Sequence, residues 1–426
     1  MTTPTHEPRC DLLVVGAGPA GMAAALAAAP SGKSVTLIDD NAAPGGQIWR
    51  AGPTAKHPAQ LLRMRESLSR LTNVRVLCGT RVVALGNPST VLLEGADRAW
   101  TQAYEQLILC TGAQELLLPF PGWTLPGVTG AGGLQALIKG GLSVAGQRIV
   151  VAGSGPLLLA VAATAGRAGA RVQRVAEQAA WSSLATFTAG LPRWPSKVVQ
   201  AIALSSAKYR AASSVLAAEG DTRLRSVRLH EGWREREIAC DRLACGFGLI
   251  PNTQLGQLLG CESNLRSGLA VDALQATSIN GVYAAGECTG IGGSEKALVE
   301  GAIAGHAAIG NHDAARALWP QRARWQSFAD AVQRSFALPA SLKQLPRHDT
   351  LVCRCEDVSH GALSDCTGWI DAKLRTRCGM GACQGRVCGA ATQFLFAWTP
   401  GKPGHLLAPA RIGSLAAADG GVGSKP

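Results

Sequence analysis

The chain has 426 residues, of which 47% are hydrophobic and 51 are Gly, and its formal net charge is +12. This length allows two or three domains with buried cores, and so many glycines are typical of an α/β protein with tight turns. No apolar run reaches the roughly 18 residues that a bilayer span needs, and residues 1–10 lack the pattern of a signal peptide. We therefore expect a cytoplasmic protein without an integral membrane span. The dispersed positive charge, with no stacking aromatic motif beside it, disfavours nucleic acid as a partner.

The first candidate site is a glycine turn near the N-terminus. A short apolar strand over residues 12–15 leads into this turn, an Ala-rich helix follows, and a second strand ends at Asp39. Gly16 makes the tight turn, Gly18 lets the backbone approach a pyrophosphate, and Gly21 lets the helix pack against the strand. The helix N-terminus favours phosphate, and an acid at the second strand end can bind the adenosine ribose. This order predicts an FAD site that contains Gly16, Gly18, Pro19, Ala20, Gly21 and Asp39.

Three later segments extend this site. Paired glycines follow the second strand in Gly45-Gly46-Gln47-Ile48-Trp49-Arg50, where the chain can pass close to a flavin. A strand over residues 99–112 ends in Thr111-Gly112, and another strand leads into Gly286-Glu287. These segments resemble motifs of the two-dinucleotide-binding flavoprotein family. The resemblance implies FAD contacts from Gly45, Gly46, Gln47, Arg50, Thr111 and Gly112, and a ribityl contact from Gly286 and Glu287, where relatives usually have Asp.

A second nucleotide-binding pattern begins at residue 148. A strand, then Gly153-Ser154-Gly155, then an apolar helix repeat the first arrangement, so Gly153 and Gly155 are candidates for holding NAD(P)H. Leu158 replaces the third glycine, which weakens close packing of helix on strand. The acid Glu177 also comes one position later than expected. Either a nucleotide binds here or the fold is retained as a scaffold, and both alternatives stay open.

Cysteine usage separates two parts of the chain. Cys240 and Cys245 bracket a strand far from the flavin motifs, so we interpret them as small buried hydrophobes rather than as a redox dithiol. Six further cysteines fall between Cys353 and Cys388, which in a reducing compartment indicates a metal rather than disulfides. Four thiolates on two turns can hold a [2Fe-2S] cluster. The predicted ligands are Cys353, Cys355, Cys383 and Cys388.

Other interpretations of these cysteines remain. Cys378 can replace Cys383 as a ligand, because both lie in the same glycine-rich loop. A structural zinc site also uses four Cys, and a set of free thiols is a further alternative. The stretches CRCEDV and GMGACQGRVC resemble the small [2Fe-2S] domain of bacterioferritin-associated ferredoxin and of assimilatory nitrite reductases.

Taken in chain order, the segments PGGQIWR, ACGFGLIPNTQL, GVYAAGE and CRCEDV…GMGACQGRVC resemble the α subunit of heteromeric amine-oxidising dehydrogenases. That group includes opine oxidase, hydrogen cyanide synthase and the dye-linked proline and hydroxyproline dehydrogenases. The resemblance implies a partner β subunit, similar to an amino-acid oxidase, which carries its own flavin and oxidises the substrate. A small ferredoxin-like subunit is a second implied partner in some arrangements. The present chain would then transfer electrons.

The predicted fold class is α/β, with two Rossmann-like domains and a small C-terminal [2Fe-2S] domain. The FAD domain is discontinuous, over residues 1–142 and 264–312, and the degenerate NAD(P)-like domain covers 143–263. A helical connector (313–347), the cluster domain (348–397) and a tail (398–426) complete the chain, and the composition of 401–426 predicts disorder.

Three hypotheses for function follow. The first is the electron-transfer subunit of a dehydrogenase or oxidase that acts on C–N bonds of an amino acid, imino acid or opine. The second is a self-sufficient NAD(P)H-dependent reductase that passes electrons from FAD to its own cluster. The third is a zinc-stabilised protein that binds flavin without turnover. No acid/base pair stands out near the flavin motifs, so we predict no catalytic side chain.

Overall fold

A computed structural model describes residues 5–50, 52–53, 56–86, 89–264, 268–399 and 407–419. The described residues between 5 and 109 form a parallel α/β unit with an antiparallel extension. Its elements are β1 (Thr5–Val15), α1 (Pro19–Ala28), β2 (Val35–Ile38), α2 (Ala59–Ser69), β3 (Val74–Leu77), β4 (Arg81–Leu85), β5 (Thr90–Glu94) and β6 (Ala99–Leu109). The predicted strand, glycine turn, helix and second strand are therefore all present, although β1 begins seven residues earlier than expected.

The next part of the chain crosses to a second unit and returns. It contains β7 (Ala113–Glu115), β8 (Val128–Gly130), α3 (Ala131–Lys139), β9 (Arg148–Gly153), α4 (Leu157–Arg167), β10 (Arg171–Glu177), α5 (Trp181–Gly190), α6 (Pro195–Ala203) and β11 (Tyr209–Arg210). It continues with β12 (Ser213–Glu219), β13 (Ser226–Glu231), β14 (Arg234–Ala239), β15 (Arg242–Gly246) and β16 (Leu249–Pro251). Strands β7 and β16 pair antiparallel and form the two-way crossing between the units.

The remaining elements return to the first unit, connect, and form a small C-terminal unit. They are α7 (Gln254–Leu258), β17 (Ser263–Asn264), β18 (Gly268–Leu269), β19 (Val282–Ala284), α8 (Gly293–Ala308), α9 (His312–Ala317) and α10 (Trp319–Ser335). After them come β20 (Leu351–Cys353), β21 (Val358–Ser359), α11 (His360–Ser364), α12 (Trp369–Thr376), α13 (Cys388–Phe396) and α14 (Ile412–Asp419).

Two separate sheets carry the two nucleotide-binding patterns. The first has seven strands in the order β3-β2-β1-β6-β5-β4, and β19 joins it on β6. The second has five strands in the order β11-β10-β9-β15-β8, beside an antiparallel meander β12-β13-β14. In both, the glycine turn follows a central parallel strand, β1 or β9, so the turns lie at the carboxyl edge where such folds bind ligands.

Small residues bring α8 onto α1 at the centre of the first unit. A Cβ atom added at Gly301 would lie 2.0 Å from Ala20 O, and one at Gly305 would lie 2.3 Å from Ala24 O. The two helices therefore pack backbone against backbone, which only glycine allows. This contact ties the C-terminal part of the flavin unit to the helix that follows the first glycine turn.

The tail differs from the prediction. Residues 407–419 are folded: Leu407 N donates to Val83 O at 2.9 Å, and α14 lies beside β6. Buried Glu94 explains the order, because it accepts hydrogen bonds from Arg411 N at 2.9 Å and from Ser414 Oγ at 2.5 Å. The prediction of disorder is therefore wrong for 407–419, while 401–406 and 420–426 lie outside the described residues. Within the described chain, no helix combines the length and apolar character needed to cross a bilayer.

Candidate flavin site and thiol cluster

The first glycine turn has the geometry that the sequence predicts. Gly16 has a φ of +105°, and a Cβ there would lie 2.2 Å from Cys110 O on the neighbouring strand end. A Cβ at Gly21 would lie 1.7 Å from Gly16 O. Both positions therefore require glycine. Gly16 and Gly18 remain half-exposed, and Pro19 and Ala20 begin α1, so the glycine backbone directly before this helix is accessible.

Asp39 holds the turn in place. Its Oδ2 accepts a hydrogen bond from Ala17 N at 2.6 Å, and its Oδ1 accepts one from Asn41 N at 2.8 Å. The side chain is buried. A carboxylate in this position shapes the loop in addition to the ribose contact that the sequence suggested.

The paired glycines come directly against this turn. Gly45 N donates to Ala17 O at 2.8 Å, and a Cβ at Gly46 would lie 2.9 Å from Gly18 Cα. Farther along the same segment, Arg50 Nη2 donates to Gln47 Oε1 at 2.6 Å, so these two predicted residues bind each other. The paired-glycine segment therefore packs against the first glycine turn.

Thr111 and Gly112 lie where the chain leaves the first unit. Thr111 Oγ1 donates to Asn252 O at 2.6 Å, and Asn252 N donates to Gly112 O at 2.9 Å. Asn252 lies on the returning segment. The two crossings between the units are thus joined at the end of β6, beside Gly16.

Gly286 and Glu287 reach the same edge through α1. A Cβ at Gly286 would lie 2.8 Å from the Ala20 Cβ, so this turn contacts the helix of the first motif. Glu287 Oε1 accepts a hydrogen bond from Gly293 N at 3.1 Å. Burial raises the pKa of Glu287, against the opposing effects of that N–H group and of the Lys296 ammonium.

A buried ion pair behind this turn was not anticipated. Glu300 Oε2 accepts hydrogen bonds from Gly286 N at 3.1 Å and from Thr289 Oγ1 at 3.2 Å. Lys296 Nζ lies 2.8 Å from Glu300 Oε1 and donates to Gly290 O at 3.2 Å. Both charged side chains are buried. The signal was present in the i,i+4 spacing of an acid and a base on an otherwise small-residue helix.

In the second glycine turn an acid also accepts a backbone hydrogen bond from the loop, but both the acid and the N–H group lie one residue later than in the first turn. Glu177 Oε2 accepts a hydrogen bond from Gly155 N at 2.8 Å, and its Oε1 accepts one from Ala179 N at 2.9 Å. The acid that comes one position late therefore bonds one residue later in the loop. Burial raises the pKa of Glu177 to about 6, although these hydrogen bonds lower it.

This second turn is covered. Gly153, Ser154 and Gly155 are all buried, in contrast to the half-exposed Gly16 and Gly18. Ser154 Oγ donates to Phe336 O at 2.8 Å, and Phe336 directly follows α10 of the connector. The Phe336 ring also contacts the Phe187 ring on α5, with 5.2 Å between centroids. The connector thus closes over the position where a second nucleotide would meet the loop.

The C-terminal unit gathers five thiols. The sulfur atoms of Cys353, Cys378 and Cys388 lie within 4.8 Å of one another. Cys355 and Cys383 form a hydrogen-bonded pair. The Cys388 thiol forms hydrogen bonds with the thiols of both Cys353 and Cys378. Of the four predicted ligands, Cys353 and Cys388 thus share a close group with Cys378, while Cys355 and Cys383 form a separate pair. Outside this unit, Cys240 and Cys245 are buried free thiols, in agreement with their interpretation as small hydrophobic residues. Burial raises the pKa of Cys240 to about 12.

Backbone N–H groups of the C-terminal unit point at two of these thiols, Cys383 and Cys353, although burial still raises the pKa of Cys353. Burial opposes ionisation of Cys383, but the backbone N–H groups of Val387, Gly385 and Arg386 and a contact with Cys355 lower its pKa. Cys353 likewise accepts backbone hydrogen bonds from Gly379 and Glu356. Several N–H groups aimed at thiols are what a metal-bound set of thiolates requires, so these residues fit an iron–sulfur cluster.

The thiol-bearing loop lies against the flavin motifs. Gln114, on β7 and two residues after Gly112, donates through Nε2 to Arg386 O at 3.2 Å. Arg386 lies between Cys383 and Cys388. Val387 and Phe394 of this unit pack against the same apolar cluster as Leu116 and Leu117, which follow β7. A single strand therefore connects the end of the flavin turn to the thiol loop.

These features define a flavin oxidoreductase built on two dinucleotide-binding folds. Residues 10–310 match the family described as pyridine nucleotide-disulphide oxidoreductase, and the chain belongs to that family. The family binds FAD, and the protein is an FAD-dependent oxidoreductase.

Particular relatives narrow this description. Hydrogen cyanide synthase subunit HcnB of Pseudomonas protegens is 34% identical, with 88% of this chain and 89% of the relative covered. One of the subunits of the opine oxidase of Rhizobium meliloti is 32% identical, with 91% of this chain and 92% of the relative covered. A crystal structure of L-proline dehydrogenase from P. horikoshii shares the fold at 19% identity and a TM-score of 0.67, over 96% of this chain and 80% of that chain. Both sequence relatives are subunits by name.

Proposed function

We propose that this chain is the electron-transfer subunit of a heteromeric dehydrogenase or oxidase that acts on a C–N bond of an amino acid, imino acid or opine. The observation that carries the proposal is the contact between the thiol loop and the flavin segment, through Gln114 and Arg386. Adjacent redox groups in one chain suit a relay, because the cofactors carry the chemistry and the protein positions them.

In this proposal the FAD is held by the first unit. Its pyrophosphate lies at Gly16, Gly18 and the start of α1, and its ribityl chain is met by Glu287. Asp39 and Glu300 act indirectly: each accepts backbone N–H groups of a turn and keeps that turn in one shape. FAD supplies the electron-accepting ring. The residues around it hold and orient the cofactor.

The [2Fe-2S] cluster is held by Cys353, Cys355, Cys383 and Cys388 in the proposal. The hydrogen-bonded pairs Cys353–Cys388 and Cys355–Cys383 each combine one cysteine from either loop, which suits two irons with two thiolates each. Cys378 then lies beside the first pair as a fifth thiol. Single Cys→Ala variants at positions 378 and 383 form a matched test: iron, sulfide and visible absorption should be lost at 383 and retained at 378.

The partner in this proposal is a flavoprotein β subunit similar to an amino-acid oxidase, with a small ferredoxin-like subunit in some arrangements. Relatives that are subunits by name support the need for a partner. Substrate oxidation would release two electrons at the partner's flavin, and those electrons would pass through this chain to an acceptor. We place the protein in the cytoplasm on the features of its sequence.

The experiment is an anaerobic titration of the purified chain with NADH and then NADPH. We expect the flavin absorbance at about 450 nm to stay unchanged, because the second glycine turn is covered. Bleaching by either nucleotide would instead favour a self-sufficient reductase. Metal analysis should find iron and sulfide rather than zinc. Oxidation of an opine or imino acid by this chain alone, without a partner, would contradict the proposal.

A further inference from the structure

A basic cavity of about 990 Å³ lies on the second unit, and no residue of either glycine turn lines it. One wall is the edge of the parallel sheet, at β10 and β11. The other wall is the meander, at β13 and β14 and the turn that contains Trp233. Neither the flavin site nor the thiol cluster uses this surface.

The lining of the cavity has excess positive charge. Six cationic side chains line it, together with the two acids Glu231 and Glu237: Arg148, Arg174, Lys208, Arg210, Arg234 and Arg236. Cations gathered in a concave site repel one another, and the field there is stronger than on a flat surface. A bound anion would relieve that repulsion.

The acids leave several cations without an ionic partner. Glu231 is shared, with Oε1 3.0 Å from Arg174 Nε and Oε2 4.0 Å from Arg236 Nη1. Glu237 accepts a hydrogen bond from Ser226 Oγ at 2.5 Å. Among the described residues, Lys208 and Arg234 make no ion pair, so at least two cationic side chains of the cavity are available to a ligand.

Arg174 distinguishes this cavity from an ordinary basic surface. The residue is only 8% exposed, whereas solvated arginines are normally at the surface. Its Nε lies 3.0 Å from Glu231 Oε1, so the two side chains form a largely buried ion pair in the lining of the cavity. Burial lowers the pKa of the Arg174 guanidinium, Glu231 opposes this, and Arg210, Arg236 and Arg234 lower it further. The carboxylate beside Arg174 is shared with Arg236, so the positive charge around this buried guanidinium is only partly offset.

Two tryptophans line the same cavity and are largely solvent-exposed. Trp181, at the start of α5, is 64% exposed, and Trp233, in the turn between β13 and β14, is 88% exposed. Large aromatic side chains beside arginines recur where planar groups are bound. The Arg234 guanidinium lies over the Trp233 ring, 5.6 Å from its centroid, so Trp181 offers the open surface on which a planar group can stack.

We propose that this cavity binds a small polyanion of the organic phosphate class, whose phosphate groups meet Lys208 and Arg234 beside the buried Arg174–Glu231 pair and whose planar part lies on Trp181. Arginine and lysine bind phosphate through charge-assisted hydrogen bonds. The site is independent of the electron-transfer proposal, because it shares no residue with either redox centre.

The test is calorimetric titration of the holoprotein with pyrophosphate and, separately, with ADP, in parallel with tryptophan fluorescence. Both probes should bind, and binding should weaken as salt is raised. The double variant Lys208→Gln/Arg234→Gln should weaken both probes by about tenfold or more, since each lost charged hydrogen bond is worth that order. These two side chains are exposed, so the variant should fold. Arg174→Gln tests the buried group as a second variant.

The matched control is Arg63→Gln on α2, which removes one charge from the flavin unit and should leave both affinities unchanged. Trp181→Leu should weaken ADP and spare pyrophosphate. No binding of either probe would overturn the proposal, as would equal weakening by Arg63→Gln or unchanged affinity in the double variant. Equal binding of ADP and pyrophosphate, unaffected by Trp181→Leu, would overturn the stacking part.

Discussion

The two glycine turns of this protein have the same local design and different surroundings. In each, an acid at the end of the second strand accepts a backbone N–H of the loop, at 2.6 Å from Ala17 N to Asp39 and at 2.8 Å from Gly155 N to Glu177. The first turn is half-exposed, and the second is buried beneath the segment that follows α10. The two turns thus share their local hydrogen bonding and differ in how far the rest of the chain covers them.

A second difference lies in how each helix meets its turn. Gly21 brings α1 so close that a Cβ would lie 1.7 Å from Gly16 O. At the corresponding position Leu158 is fully buried and belongs to an apolar cluster with Ile149, Val151 and Val175. The first unit thus uses the position for a close approach of backbone, and the second uses it for core packing. The same motif position serves ligand geometry in one unit and stability in the other.

The largest effect that would sharpen this comparison is expected from Gly21→Ala. The new Cβ would meet a backbone oxygen that cannot move independently, so we expect a loss of about 3 kcal/mol or more in unfolding free energy and loss of bound FAD. Denaturant unfolding and the flavin retained after gel filtration measure both. Gly166→Ala on α4 is the control, because a Cβ there has no atom within 4 Å. Normal stability with full flavin in Gly21→Ala would break the comparison.

The opposite substitution, Leu158→Ala, should act on stability alone. Removing a fully buried leucine side chain typically costs about 2–5 kcal/mol, because a cavity remains. The flavin content of the folded protein should not change. Loss of flavin at unchanged stability would show that Leu158 supports the flavin site rather than the second core.

These pairs also show what a sequence can predict. The first turn was predictable because strand, glycines, helix and acid lie within about 40 residues and each spacing has a local cause. The segment that covers the second turn was not predictable. Ser154 and Phe336 are 182 residues apart, and the hydrogen bond between them is accepted by a backbone carbonyl. The spacing from the glycines also suggested that Glu177 comes too late to bind the loop. A one-residue shift in the loop, together with the longer side chain, keeps the bond.

The other surprises have the same origin. The composition of 401–426 predicted disorder, yet buried Glu94 binds Arg411 and Ser414 across more than 300 residues of chain. Cysteine spacing could not choose between Cys378 and Cys383; in the folded loop Cys378 lies with Cys353 and Cys388, and Cys383 pairs with Cys355. Long-range partners of buried polar groups leave no periodic signal in a sequence.

A smaller effect is expected from the pH dependence of the second unit. The pKa of Glu177 rises from 4.5 to about 6 on folding, so the folded state holds this proton more tightly than the unfolded chain does. The stabilisation is therefore complete below about pH 4.5 and is lost as pH rises through 6, by about 2 kcal/mol. The unfolding free energy of wild type minus that of Glu177→Gln should fall by this amount between pH 4.5 and 7. A difference that does not vary with pH would contradict the assignment.

The smallest effect, and the most direct test of access, is expected from Ser154→Ala. Losing the hydrogen bond to Phe336 O should cost about 1 kcal/mol of unfolding free energy and increase hydrogen exchange across residues 153–158. The flavin should still resist reduction by NADH and NADPH, because the aromatic contact of Phe336 with Phe187 remains. The control is Ser182→Ala on α5, an exposed position. If Ser154→Ala alone made the flavin reducible by either nucleotide, the connector would be a lid on a working site. Both glycine turns could then bind a nucleotide, and the second would do so only when the connector moves away from it.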